Sequence, residues 1–484
     1  MRSIKANIAL HAVKTVFSIV FPIISFKYVS SMLGVTNIGK VTFSSSIVSY
    51  FALFASLGIA SYGIREGARI RDDAPLTTTF VSELFTINIV STLFSYLVLI
   101  ICVITLEALN GYESLILILS SSILCSAFGM DWVNIIHEDF LFLTVRQILV
   151  QIIGYLLIIL VVKKQSDVLF YCMLTAGSAW AVSILNFFHV RKRNKFHLAH
   201  YSAAIKHIKP VMVIFASSIA VTIYVSSDAT MLGLLAGDKI VGLYAGAAKV
   251  YASVKMLIAA IIIVVLPRIT TYADNPPKFS EAFLYILSVV MLITLPCVVG
   301  ICVMSERIIV MLSSQDYADG ASALTILGIA VLFSIIASVI TTTVFLPLRK
   351  EKVTLVATIL SALLNIALNL LLIPLLKHRG AALTTMLAEA LICGISIFYL
   401  HKCTSFLASD LRQTRRELKT YTLGSIVIGA CAWLLSSWLP KTAIITFGII
   451  VVCAVFYFLF LYMFRNRYTM SVVTSVTSMI KRVI

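Results

Sequence analysis

Seven ionisable side chains lie inside stretches of sequence that are otherwise almost wholly apolar: Lys14, Lys27, Glu83, Asp228, Lys249, Lys255 and Glu389. Each such group costs about 2.5 to 3.5 kcal/mol at the centre of a bilayer on insertion scales, so it is retained where it meets a partner or a wet path. Lys27 and Glu83 stand near the ends of their stretches and read as snorkelling or locally paired groups. Lys249 lies about ten residues into its stretch, roughly 14 Å at 1.5 Å per residue, and should face an interior cavity. A cavity lined by Lys14, Lys249 and Lys255, with Arg65 and Arg268 at its mouth, would hold an anion, and phosphate or pyrophosphate is the natural candidate. Asp228 and Glu389 are the carboxylates through which a coupling ion could act. A self-neutralising Asp228–Lys249 pair is the plain structural alternative.

The elements that must position these groups are membrane spans. Of 484 residues, 60% are hydrophobic and only 12% charged, against about 25% charged in ordinary soluble domains, which excludes a soluble globular enzyme. A spanning helix needs about 20 apolar residues. Fourteen stretches qualify: 7–32, 38–62, 77–105, 114–136, 140–162, 167–190, 208–235, 240–266, 280–304, 321–346, 353–376, 380–401, 418–439 and 443–464. The fourth runs into the polar sequence "DWVNIIHED", and twelve spans is the alternative count. The first stretch lacks a cleavage site and is expected to stay as an anchor. Pro22 and Pro296 fall inside spans, where a missing backbone donor permits a bend.

The formal charge of +17 has the same origin. With the N-terminus placed in the cytoplasm, 26 Lys and Arg fall on inner segments and eight on outer loops, with four inside the spans. This is the positive-inside pattern, and it puts both termini on the cytoplasmic side. The runs "RKRNK" and "RQTRRELK" therefore read as cytoplasmic loops, with no nucleic-acid partner. No loop has room for a soluble catalytic domain. Nine scattered cysteines without a Cys-x-x-Cys pair point to packing, with no metal site.

"GVTNIGKV" at 34–41 has the glycine and lysine spacing of a phosphate-cradling loop. Val41 stands where the magnesium-binding hydroxyl would be, and no strand precedes it, so its glycines are better read as turn formers. Gly242 and Gly246 have the spacing that lets helices approach closely. Displaced by 203 residues without a gap, Gly34 falls on Gly237, Gly39 on Gly242 and Arg65 on Arg268. Six spans separate the copies, so both enter the membrane in one sense, and the repeat axis should lie along the membrane normal. The expected organisation is an N-terminal lobe at 1–200, a C-terminal lobe at 201–405 and additional helices at 406–484. Two such bundles around a midplane site form a carrier's architecture.

"LGVTNIGKVTFSSSIVSYFALFASLGIASYGIREGARIR" resembles the signature of the polysaccharide biosynthesis flippases, the O-antigen transporters of the multidrug, oligosaccharidyl-lipid and polysaccharide exporter superfamily. "GLYAGAAKVYASVKMLIAAIIIVVLPR" and "GAALTTMLAEALI" are similar to the second-half signatures, and "DWVNIIHEDFLFLTVRQ" to the segment before the family's fifth helix. The resemblance implies an all-α, MATE-like protein of the bacterial inner membrane with twelve to fourteen helices in two lobes. It implies a cargo of oligosaccharide units linked by pyrophosphate to undecaprenol, turned from the cytoplasmic to the periplasmic face. No bond breaks in that act, so the protein is expected to be a transporter with no catalytic residue and no cofactor, driven by the membrane potential or by a proton or sodium gradient. A polysaccharide polymerase, a chain-length regulator and membrane lipid are the expected partners. In this frame Lys14, Arg65, Lys249, Lys255 and Arg268 bind the pyrophosphate and sugar, Asp228 and Glu389 couple an ion, and Ser44, Ser45 and Ser46 line the sugar path. A multidrug or cation antiporter of the same superfamily should show an anionic cavity instead, and a membrane-embedded polymerase a long outer loop.

Overall fold

The computed structural model describes residues 4–403, 411–467 and 470. Of the basic residues counted on the inner side, Arg2, Lys481 and Arg482 lie outside them. The helices in order are α1 (Ile4–Ser56), α2 (Ile59–Ile70), α3 (Ala74–Thr105), α4 (Glu113–Phe128), α5 (Asp131–Ile136), α6 (Phe140–Val161), α7 (Val168–Arg193), α8 (Tyr201–Ala204), α9 (Ile208–Ala236) and α10 (Asp238–Thr270). There follow α11 (Pro276–Leu312), α12 (Ala321–Ile340), α13 (Glu351–Leu376), α14 (His378–Cys403), α15 (Leu411–Trp438) and α16 (Ala443–Met463). The described residues contain no strand.

Among the described residues, 13 helical segments are long and apolar enough to cross a membrane. The count differs from fourteen because residues 17–70 register as one segment. The backbone nevertheless breaks inside α1 at Gly34, with φ 76° and ψ 170°. The first two expected stretches are therefore the two arms of α1, the second running on into α2. The ambiguous fourth stretch is α4 followed by the short α5. Exposed Phe, Leu and Trp side chains cover the outer surfaces, while Ser, Thr and Asn residues are buried within, the distribution a bilayer solvent favours.

The chain forms two compact units, Met1–Ala245 and Gly246–Ile484. In the first, α1 packs on α3, α4, α6 and α9, and α4 on α7. This unit extends past the 200/201 division drawn from the repeat, because α9 and the start of α10 lie against α1. In the second, α12 packs on α11 and α14, and α13 on α14. The helices outside the repeat, α15 and α16, pack on α11 there. Arg307, which lies just past the ninth apolar stretch and counts by position among the eight outer-loop charges, is buried and donates to the carbonyls of Ser436, Leu439 and Pro440. It satisfies the bare C-terminal carbonyls of α15 with a charge of the right sign for that end of a helix.

Gly237 has φ 84° and ψ 168°, nearly the conformation of Gly34. Both are left-handed positions that suit glycine. Just beyond each, the two copies cross within the first unit. A Cβ on Gly39 would collide with the Asp238 carbonyl, and a Cβ on Gly242 with the Val35 carbonyl. Val35 and Asp238 are themselves related by the 203-residue displacement, so the crossing is reciprocal: each copy presents its glycine to the other copy's first-turn carbonyl.

Gly39→Ala and Gly242→Ala should each destabilise the protein by about 3 kcal/mol or more, since backbone must move to admit the methyl group. Gly177→Ala and Gly448→Ala, with open space around the added Cβ, should be neutral or slightly stabilising. Thermal unfolding of the four detergent-purified variants tests this; equal melting temperatures across the set would remove the crossing as a constraint.

Candidate functional site

In the first unit the informative cluster is built where α4 stops. Gly129 ends α4, its N–H donating to the Cys125 carbonyl, and the chain turns through buried Met130 into α5. Trp132 fastens α5: a Cβ on Gly63 of α2 would lie 2.6 Å from its indole, and its ring meets Phe80 edge-on. Asp131, at the start of α5, thereby reaches Arg146 of α6. One guanidinium nitrogen donates to both Asp131 oxygens, at 3.0 and 2.9 Å. The Arg146 side chain is only 1% exposed, yet its Nε and Nη1 have no hydrogen-bond partner among the described residues. Leaving such donors unmade is costly. Lys14 of α1, half-buried, stands within electrostatic reach of both Asp131 and Arg146. Two cations thus share one carboxylate.

The other ionisable groups of this unit are more fully engaged. Glu83 accepts from the Lys206 ammonium at 2.8 Å and pairs with His207, whose other nitrogen meets the Tyr62 hydroxyl. It is the local pairing expected of it. Asp228, buried on α9, accepts the Tyr244 hydroxyl at 2.5 Å. On the same helix Thr230 meets Ser46 and Tyr50, and Ser226 meets Ser49. Ser46 therefore serves the α1–α9 contact, Ser44 is buried, and Ser45 is exposed.

In the second unit Glu389, 2% exposed on α14, accepts from the Lys255 ammonium and the Tyr251 hydroxyl of α10, both at 2.6 Å. Tyr251 and Lys255 share a helix face at i,i+4. A proposed binding lysine and a proposed coupling carboxylate are thus one ion pair. Lys249, two turns nearer the start of α10, is half-buried, and its ammonium has no ion pair or hydrogen bond among the described residues. Arg65 and Arg268, matched by the repeat, are both exposed; Arg65 pairs with Glu66 at 3.0 Å, and Arg268 donates to Tyr272.

The sequence reading passed over Asp131, Arg146 and Tyr251. Arg146 counts as a cytoplasmic charge by position, and only the turn into α5 shows that it points inward. Tyr251 could have been found from its spacing to Lys255. Among the described residues no group of three His, Cys, Asp or Glu could hold a metal.

With this geometry in view, the chain matches the family model for "polysaccharide biosynthesis protein" over residues 4–273. No curated protein sequence matches it. Among solved structures it is similar to the lipid II flippase MurJ in an inward closed conformation, with TM-score 0.70 and 18% identity over 95% of this chain and 99% of that one. An inward-facing MATE-family multidrug resistance transporter of the MOP superfamily gives TM-score 0.60 and 15% identity, covering 81% and 95%. An outward-facing one gives 0.50 and 14%, covering 83% and 94%. These likenesses establish the fold, all-helical and of the kind those transporters share.

The Asp131–Arg146 pair yields a direct test. Arg146→Met alone should have little cost or some gain, because Asp131 is partly exposed and can be hydrated. Asp131→Leu alone should cost about 3 kcal/mol, because it strands a buried guanidinium. The double variant should recover most of that loss. Melting temperatures that simply add across the cycle would show that the two charges are not coupled.

Proposed function

Because the chain belongs to the polysaccharide biosynthesis protein family, we propose that it is a lipid-linked oligosaccharide flippase. Its cargo would be undecaprenyl-pyrophosphate-linked repeat units of O-antigen or a related polysaccharide, carried from the cytoplasmic to the periplasmic face of a bacterial inner membrane by alternating access. The observation that carries this reading is cationic charge held in apolar spans without matching carboxylates: Lys249 in the second unit, and the net-positive Lys14–Asp131–Arg146 cluster in the first. The fold shared with a lipid II flippase supports a lipid-borne cargo. No bond is broken, so the act is transport and not catalysis.

A sugar and pyrophosphate headgroup cannot enter hydrocarbon unaided, because each unpaired polar group costs several kcal/mol there. In this proposal Lys14, Arg146 and Lys249 replace the water around the pyrophosphate, and Arg65 and Arg268, both solvent-exposed, capture it at the cytoplasmic side. Lys255 plays a different part from the one its sequence position suggests. Its ammonium is engaged by Glu389 and is free for cargo only when that carboxylate is protonated or displaced, which makes the pair the place for ion coupling; Asp228, held by Tyr244, is the second such carboxylate. Moving about two negative charges outward down an inside-negative potential is favourable by roughly 4 to 5 kcal/mol per 100 mV, so the potential alone could suffice. A polymerase and a chain-length regulator would receive the product. The MATE-like fold keeps a cation antiporter as the second reading, and the surplus of lysine over carboxylate speaks against it.

In a strain lacking the gene, lipid-linked oligosaccharide should accumulate on the cytoplasmic face of the membrane. Restoring Lys249→Ala should leave flipping at least tenfold slow, the loss expected from one charge-assisted contact. A normal rate in that variant would remove Lys249 from the path, and periplasmic accumulation of single units in the deletion strain would point to a polymerase instead. Full activity in Asp228→Asn with Glu389→Gln would leave the potential as the drive.

A further inference from the structure

The crossing of α1 and α10 carries a polar clasp on one side. The turn from α3 to α4 passes through Gly111, at φ 85° with open space around it, and the Glu113 carboxylate accepts the Gly111 N–H at 2.9 Å. Tyr112, half-buried between them, is thereby presented to the crossing. Its ring tilts against Phe43 of α1, with centroids 4.8 Å apart. Phe43 is itself fully buried, and α9 presses on it at Gly233, where a Cβ would lie 2.1 Å from the ring. The Tyr112 hydroxyl donates to the carboxylate of Asp238, the first residue of α10, at 2.6 Å. Asp238 is also the residue whose carbonyl faces Gly39. One side chain thus grips both members of the contact.

The clasp is an addition to the symmetric joint. Asp238 is matched in the repeat by Val35, which has no side-chain acceptor, yet the Val35 carbonyl meets Gly242 just as closely. The close approach is therefore made once with a hydroxyl–carboxylate bond and once without, so packing does not require that bond. Burial and the neighbouring Asp238 carboxylate push the Tyr112 phenol up to about 12, and near neutrality it remains a donor. A charge-assisted bond of this kind is strong when made, and at the surface of the membrane water can replace it when it breaks, which suits a contact that has to open.

The distribution of basic residues turns this end of the spans outward. A carrier built from two repeats around a midplane site keeps one end of its path closed at a time, and here elements related by the repeat meet backbone to backbone at the outer end. We propose that the Gly39–Gly242 crossing is an outer gate and that Tyr112 is its latch, the positioning residue that holds α10 against α1 while the outer side is shut. This inference rests on the transporter reading above and not on the identity of the cargo.

The test reads the gate itself and needs no transport. Ile38 and Val241, matched by the repeat and buried at 4% and 0% exposure beside the crossing, are each replaced by cysteine in the full-length protein. A membrane-impermeant maleimide is applied to the outer face of right-side-out vesicles, and the wild type gives the background of the native thiols. Both reporters should react slowly. Tyr112→Phe, which keeps the ring on Phe43, should speed the reaction of both about tenfold, the loss expected of one charge-assisted contact, and Asp238→Asn combined with it should add little. Unchanged reaction at both reporters, with or without a lower melting temperature, would overturn the latch and leave Tyr112 a packing residue. Faster reaction at Val241→Cys alone would mean that only the first turn of α10 frays, and would overturn the gate. Faster reaction at both, in a protein whose deletion strain accumulates no lipid-linked oligosaccharide, would strike the cargo and leave the latch standing.

Discussion

The crossing of Gly39 and Gly242 governs how the first unit is built. Two backbones approach so closely that neither glycine can carry a methyl group, and each opposes the carbonyl of a residue that the repeat places equivalently. Such proximity removes side-chain mobility from the contact and sets the direction in which α1's second arm and α10 leave it. The left-handed glycines just before each crossing, Gly34 and Gly237, share one backbone conformation although their surrounding sequences have diverged. What the repeat preserves is therefore a joint: a break, about one and a half turns of helix and a close crossing, made twice. The cationic residues lie on the helices that leave this joint, Lys14 before it on α1 and Lys249 and Lys255 after it on α10.

The same interior sorts its charges by what they meet. Glu83 has Lys206 and His207, Glu389 has Lys255 and Tyr251, Asp228 has Tyr244, and Arg307 has three carbonyls that a helix end leaves bare. In a medium where an unpaired ion costs several kcal/mol, those contacts are structural necessities and would be kept in a protein that moved nothing. Among the described residues, the Lys249 ammonium and the two donors of Arg146 that Asp131 does not reach have no such partner. A membrane protein retains such exceptions where something else supplies the missing partner, which is why they carry the functional reading while the paired groups do not.

Most of the fold was legible because its signals are local. Length and hydropathy locate each span, and a gapless displacement locates the joint, since glycine at a left-handed or crowded backbone position is hard to replace. The site was legible only in part, because pairing is not local. Lys255 and Glu389 are 134 residues apart, and nothing in either neighbourhood announces the other. Arg146 misled by position: nearly two turns into α6, it reads as an interfacial charge, and only the six-residue α5, fastened by Trp132 against Gly63, turns Asp131 back to meet it. Arg307 misled in the same way, because the carbonyls it serves belong to the end of a helix more than a hundred residues later.

The pairing of Lys255 with Glu389 separates two lysines that the sequence presents alike. They stand six residues apart on α10, yet Lys255 is engaged by Glu389 and Tyr251, whereas Lys249 has no ion pair or hydrogen bond among the described residues. An ammonium held by a carboxylate is neutralised where it stands and adds no net charge to the span, so of these two lysines the one that leaves a positive charge uncompensated is Lys249.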